Sequence, residues 1–456
     1  MSKIITKTNF NRVVSGLSPL LFSTMSYAEL TAKTINDIQG TAPSLSPQVE
    51  QNIEDLDLFG LMVDGKNYYG NEIAQLPISA AYPFKNQIKI APMKQPNAEQ
   101  YIDIDGDELG DLVTQTSPQI VWYYTNGKNQ LVEFIPKNSD TLCSLAKEGK
   151  FGPYKIKISA DLTLTSKYGD PFINQYPNNK VTKHPAKIYT ISSDAGFCHA
   201  KSELAPADVN TSAANHWDKY SGFLVQSTVD KKKNFPTTAF YGAQFDLLLA
   251  QPGLAKNYDW EIIKGHELVN ISSNADSVKV MFNTSEAMST GKAWQYVMGS
   301  DNGYTVIIQG TNKTTGNIIK YPFTITKWFS AWNKSSIGEP KAYRGSAENV
   351  AAGCAALDGH YRISYANELS NAVIDSKRGE AKFTREIGTL LSEWGDPSQT
   401  AYPNSWAPSS RQNNSFRRIW VYDTVEKKYC DLHTYNAKYH CRAEAEDKNG
   451  VCIAIK

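Results

Sequence analysis

The chain carries almost no net charge: 47 Lys and Arg balance 46 Asp and Glu over 456 residues, a formal charge of +1. With no basic excess to neutralise phosphates, nucleic acid is not an expected partner. Beyond the N-terminal region no run supplies the roughly 20 apolar residues that cross a bilayer as a helix. No transmembrane segment is therefore expected in the mature chain. Gly and Pro, at 29 and 21 residues, fall short of the share that marks a low-complexity chain. The sequence also lacks a GxSxG elbow, a phosphate-binding loop, a dinucleotide fingerprint and an HExxH helix. Neither catalysis nor a cofactor is expected.

What it does have is aromatic residues, 25 Tyr, 17 Phe and 9 Trp, set among Thr and Val in a composition that favours strands. The length gives a prior of about three domains. Residues 1–28 place Lys3, Lys7 and Arg12 before an uncharged stretch that ends at Ser26, Tyr27 and Ala28. This is the layout of a secretory signal cleaved after Ala28, against the plainer reading of a disordered tail. Residues 29–57 read as a linker. From 58 to 171 short apolar runs alternate with turn clusters, and Tyr154, Ile156 and Ile158 alternate with Lys155, Lys157 and Ser159, the period of a half-buried strand in a β-sandwich. Residues 172–234 read as a connecting segment with one strand, at 186–191. A second sandwich is expected over 235–332, and an α+β unit over 333–456, with apolar residues at helical spacing in 365–376 and 383–394. The expected shape is a rod of domains, each with its own core.

Six cysteines form an even set suited to an oxidising compartment. They can pair in many ways; the preferred pairs are Cys143 with Cys198, Cys354 with Cys452, and Cys430 with Cys441. The competing reading joins Cys430 and Cys441 to His433 and His440 as a zinc site, which export makes the lesser expectation.

Asp103, Asp105, Asp107 and Asp111 offer the oxygen ligands that calcium takes, but Glu108 and Thr114 stand where an EF-hand needs Gly and Glu. A solvated turn is the alternative. Glu386 and Glu393 would suit a glycosidase only if their separation in space were right; as residues of an expected helix they read more simply as solvated. Tyr402, Trp406, Tyr422 and Tyr435, with Trp420, Tyr429 and Tyr439, lie in a polar stretch. Tyr and Trp are types that carry interface energy, so the first four are the candidate binding residues. Trp394 and Trp420 are expected in the core, and Trp406, in a Pro-flanked polar segment, on the surface.

The segments YIDIDGDE (101–108), IVWYYTNG (120–127), GPYKIKIS (152–159) and YGDP (168–171) resemble the Ig-like repeats of intimin- and invasin-type bacterial adhesins. The resemblance makes Trp122 the core Trp between two sheets. NFPTT (234–238) and KYPFTITKWF (320–329) resemble a second Ig-like domain of enterobacterial secreted proteins. CAALDGHYRIS (354–364), ANEL (366–369), SEWG (392–395) and VCI (451–453) are similar to a C-type-lectin-like tip. The tip departs from the family at SWAPS (405–409), and nothing resembles the adhesins' N-terminal membrane barrel. The implied fold is mainly β, with two Ig-like sandwiches followed by a C-type-lectin-like domain. The implied function is that of a secreted or surface-associated adhesin whose last domain binds a protein or glycan receptor on a cell. The alternative is an exported enzyme or toxin component whose sandwiches present the C-terminal unit. EPK (339–341), WGD (394–396) and YPN (402–404) do not supply a lectin's calcium ligands, so calcium-dependent sugar binding is not expected.

Overall fold

The computed structural model of the chain describes residues 40–203, 216–228, 230–334, 340–341, 344–372, 384–407, 418–434, 439–441 and 446–456. The expected signal, residues 1–28, and Tyr435 lie outside the described residues. Strand exceeds helix, 40% to 15%, which makes the protein mainly β with several antiparallel sheets. Among the described residues no helix is long and apolar enough to cross a membrane.

In the N-terminal third, period-2 patterning produces two sheets that close on one core. Strand Phe151–Ser159 buries Tyr154, Ile156 and Ile158, as its alternation requires, and lies between Gln119–Thr125 and Ala186–Ser192. Leu131–Phe134 adds the outer strand. The second sheet places Leu162–Ser166 between Leu109–Thr114 and Ile173–Tyr176, turning Leu162 and Leu164 inward. Burying each such side chain stabilises the fold by roughly 1.5–3 kcal/mol. Trp122 is 7% exposed in this core and packs against Phe84 at 4.9 Å between ring centroids.

The expected linker, 29–57, is folded where it is described past residue 43. Leu45, Ile53 and Leu56 join the same core, and Ser44–Leu45 pairs with Tyr101–Ile102. Three apolar residues without periodicity gave no sequence signal, yet each finds a place in an existing core. The expected connecting segment, 172–234, also supplies structure to both of its neighbours. Ala186–Ser192 belongs to the first pair of sheets, and Phe197–Ser202 pairs with Gln244–Leu249 in a six-stranded sheet. The Cys143–Cys198 bond fastens helix Leu142–Lys147 to that second strand.

The expected boundary at 332/333 does not separate two cores. Asn449–Ala454, buried at every position, pairs with Lys327–Ala331 on one side and with Tyr361–Ile363 and, in parallel, Arg418–Asp423 on the other. The same sheet runs from Thr238–Phe240 to Tyr439–His440, and one hydrophobic core extends from Phe197 to Ala454. A wholly buried strand needs a partner on each edge, and here one of those partners comes from residues 327–331. Helix Ala347–Ala355 is capped by the Ser346 side chain, which accepts the Asn349 N–H. The two expected later helices are short where described, Ala366–Leu369 and Leu390–Trp394. Helix Thr290–Met298 falls within the stretch read as a pure sandwich.

Candidate functional site

The C-terminal sheet builds a tyrosine-lined cleft at one end. Strands Arg418–Asp423 and Lys428–His433 form a hairpin that sets Tyr422 directly across from Tyr429, with ring centroids 5.5 Å apart. Its turn is made by Asp423, whose Oδ1 accepts the backbone N–H groups of Val425 and Glu426 at 2.7 and 2.8 Å. This side chain-to-backbone pattern is the reason Asp opens such turns. Val425 is left at the tip, 86% exposed.

The opposite wall comes from the strand beside the central one. Ser364 takes the Tyr422 N–H at 3.1 Å and donates its own N–H to Val451, so Tyr365 emerges next to Tyr422. Their ring centroids are 6.0 Å apart at 45°. Tyr365 is held from behind. The Arg362 guanidinium lies 3.5 Å from its ring centroid and forks onto Glu368 at 2.9 and 2.6 Å, while Glu368 also accepts the Tyr365 N–H. The fork-to-carboxylate pairing gives a fixed geometry. Tyr365, Ala366, Asn367, Tyr422, Asp423, Thr424, Val425 and Glu426 enclose a cleft of about 270 Å3. Burial, aided by Glu348, raises the Tyr429 hydroxyl above its usual range and keeps it a hydrogen-bond donor.

Of the candidate binding residues that are described, the structure brings only Tyr422 to this cleft. Tyr402 is fully buried, donating its hydroxyl to the Trp394 carbonyl at 2.6 Å, and Trp406 is 5% exposed. Both pack on Phe240, at centroid distances of 5.5 and 5.8 Å. The surface position expected for Trp406 is therefore corrected. Its polar neighbours made the segment look solvated, and a strand more than 160 residues earlier in sequence covers it. Trp394 and Trp420 are core residues, at 0% and 5% exposure. Glu393, read as a solvated helix residue, has no exposure at all. Its carboxylate accepts the N–H and hydroxyl of both Thr237 and Thr238 and the N–H of Gly388. Burial raises its carboxyl above the ordinary range, opposed by those hydrogen bonds. It has no route to a substrate, whereas Glu386 is exposed.

The acidic loop does not bring three of its carboxylates within 4.8 Å of one another. Asp103 Oδ1 accepts the N–H groups of Asp105 and Asp107, and Asp105 Oδ2 accepts the Thr41 hydroxyl at 2.9 Å. Asp111 is exposed on strand Leu109–Thr114. Among the described residues, only Asp423, Cys430 and Cys441 bring three potential ligand atoms within 4.8 Å, and the two sulfurs are bonded to each other. The other disulfides join Cys143 to Cys198 and Cys354 to Cys452. The pleat also works against a zinc site. Asp431 pairs with His440 across the strands, which puts His433 and His440 on one face, 5.6 Å between ring centroids, and the cysteines on the other.

Two larger clefts have different chemistry. One of about 410 Å3 is lined mainly by polar and charged groups such as Lys201, Asp246, Asp276 and Lys279, and its Lys279 is paired with Asp246 at 3.3 Å. Another, of about 420 Å3, is lined by Pro47, Glu50, Gln51 and residues 180–183 and has no aromatic wall. Sequence reasoning missed Tyr365, Asn367, Thr424 and Val425. The usable signal was a polar turn, residues 423–428, between two aromatic strand-like runs, with an exposed valine at its tip. No known family, curated protein or solved structure matches the chain.

Proposed function

We propose that this is a secreted or cell-surface, adhesin-like protein in which two Ig-like sandwiches carry a C-type-lectin-like terminal unit that binds a cell-surface receptor at the tyrosine cleft. The observation that carries the reading is the cleft itself: the half-buried tyrosines 365 and 422, the latter backed by Tyr429, stand beside an exposed valine at the tip of a braced hairpin. Amphipathic rings held rigidly at a surface lose little entropy on binding, which is why Tyr dominates binding hot spots. The facing sheets around Trp122 and the three disulfides support the exported, sandwich-bearing architecture. The buried, saturated carboxylate of Glu393 weighs against a glycosidase pair of Glu386 and Glu393.

The test uses the full chain, because the terminal unit shares its sheet with residues 238–240 and 327–331. Fluorescently labelled protein is titrated onto a panel of animal and bacterial cells. Tyr422→Ala is expected to weaken binding about 30-fold, about 2 kcal/mol, with an unfolding midpoint close to wild type. Equal binding by wild type and variant, or turnover of a substrate by the chain, would overturn the proposal.

A further inference from the structure

We infer that the tyrosine cleft binds a neutral sugar ring without a metal ion. The inference rests on the cleft being the receptor site and adds the chemical class of what enters it. Its volume, about 270 Å3, is just below the roughly 300–1,000 Å3 typical of small-molecule sites. That suits one or two rings better than a peptide strand or helix.

The charges around the cleft are already committed. Asp423 Oδ1 holds its own turn together. Glu426 is paired with Lys428 at 3.3 Å. Arg362 is forked onto Glu368. Among the described lining residues both carboxylates, Asp423 and Glu426, already have partners with which an ionic ligand would have to compete.

The free groups are neutral. Among the described residues the Tyr422 hydroxyl, the Asn367 amide and the Thr424 hydroxyl have no hydrogen-bond partner, and Asn367 and Thr424 are exposed. Together they offer donors and acceptors side by side, the mixture that neighbouring sugar hydroxyls satisfy. The inclined rings of Tyr365 and Tyr422, with Val425, supply apolar walls against which the C–H face of a pyranose packs; a ring's negative π-face attracts such polarised C–H groups. A calcium-bridged mode is not needed: among the described residues the lining carboxylate Asp423 groups within ligand distance with Cys430 and Cys441, whose sulfurs are spent on their disulfide.

The experiment is saturation-transfer NMR on the full chain with methyl α-mannoside, methyl β-galactoside, methyl α-glucoside and N-acetylglucosamine, each with and without EDTA, and with sialic acid and lysine methyl ester as charged probes. At least one neutral sugar is expected to receive saturation, strongest at its ring C–H protons, unchanged by EDTA. Tyr422→Ala and Asn367→Ala are each expected to weaken it at least tenfold. Tyr422→Phe, which keeps the ring, serves if the alanine variant does not fold and is expected to weaken binding less. If no neutral sugar binds while cell binding still depends on Tyr422, the sugar inference fails and the receptor is a protein, leaving the proposed function standing. If cell binding does not depend on Tyr422, both fail. Sugar binding that survives both alanine variants, vanishes with EDTA, or is exceeded by a charged probe overturns the inference.

Discussion

His199 lies on strand Phe197–Ser202, with Leu224 and Leu248 as its cross-strand neighbours. Burial, reinforced by the Lys147 cation and opposed by Asp218, lowers its imidazole to about 4 from the usual 6.5. The unfolded chain therefore takes up the proton first. Stability is full above about pH 6.5, falls as the pH drops towards 4, and loses nothing further to this group below that. The loss is about 1–3 kcal/mol, less than the full shift implies because the ring is partly exposed. His199→Gln removes the titration, so its urea-unfolding free energy is expected to fall less than wild type between pH 7 and 4.5. Identical slopes for the two proteins would contradict this. Other residues show where sequence reading works at this scale. Tyr154, Ile156 and Ile158 were legible because alternation within one strand decides which side chains turn inward. Trp406 and Glu393 were not, because their partners Phe240 and Thr237–Thr238 lie far away in the chain and change the meaning of a polar neighbourhood.

Between elements, Glu393 is the joint that locks helix Leu390–Trp394 onto strand Thr238–Phe240. Its two oxygens accept Thr237 N at 3.0 Å, Thr237 Oγ1 and Thr238 Oγ1 at 2.6 Å, Thr238 N at 2.9 Å and Gly388 N at 2.8 Å. Next to it, Trp394 Nε1 donates to the Thr238 carbonyl at 3.0 Å. Glu393→Gln turns an acceptor into an NH2 that faces backbone donors, leaving at least one buried N–H unmatched. The expected cost is about 2–3 kcal/mol in chemical denaturation; a change below about 0.5 kcal/mol, the range of ordinary surface substitutions, would show that the joint is dispensable. The tyrosine cleft is legible in part for a related reason. Tyr422 was found because it sits in an aromatic strand, but Tyr365 reaches it only through pairing between residues 364 and 451 and between 364 and 422, which a linear pattern does not display.

At the scale of the molecule, the rod of independent domains read from the sequence meets a sheet and a core that cross its last boundary. Trp394 lies within the aromatic cluster of the preceding stretch, with ring centroids 4.9 Å from Phe235, 5.7 Å from Phe240, 6.1 Å from Phe245 and 6.3 Å from Phe282. Lys327–Ala331 depends in turn on Asn449–Ala454 for one edge of its hydrogen bonding. A chain stopped after Trp332 would lose the central indole of that cluster and expose an apolar strand edge, which promotes association with other chains. A large-to-small loss at a buried aromatic alone costs about 3–5 kcal/mol, comparable to much of the net stability of a domain. The truncated chain is therefore expected to bind a hydrophobic dye, to show poor amide dispersion for residues 235–332 and to self-associate in sedimentation. Residues 44–192, whose core is built from their own strands with Ala195, Cys198 and Ala250 at its margin, are expected to keep their dispersed spectrum in the same sample. A well-dispersed, monomeric spectrum for residues 235–332 after truncation would restore an independent second domain ending at the 332/333 boundary.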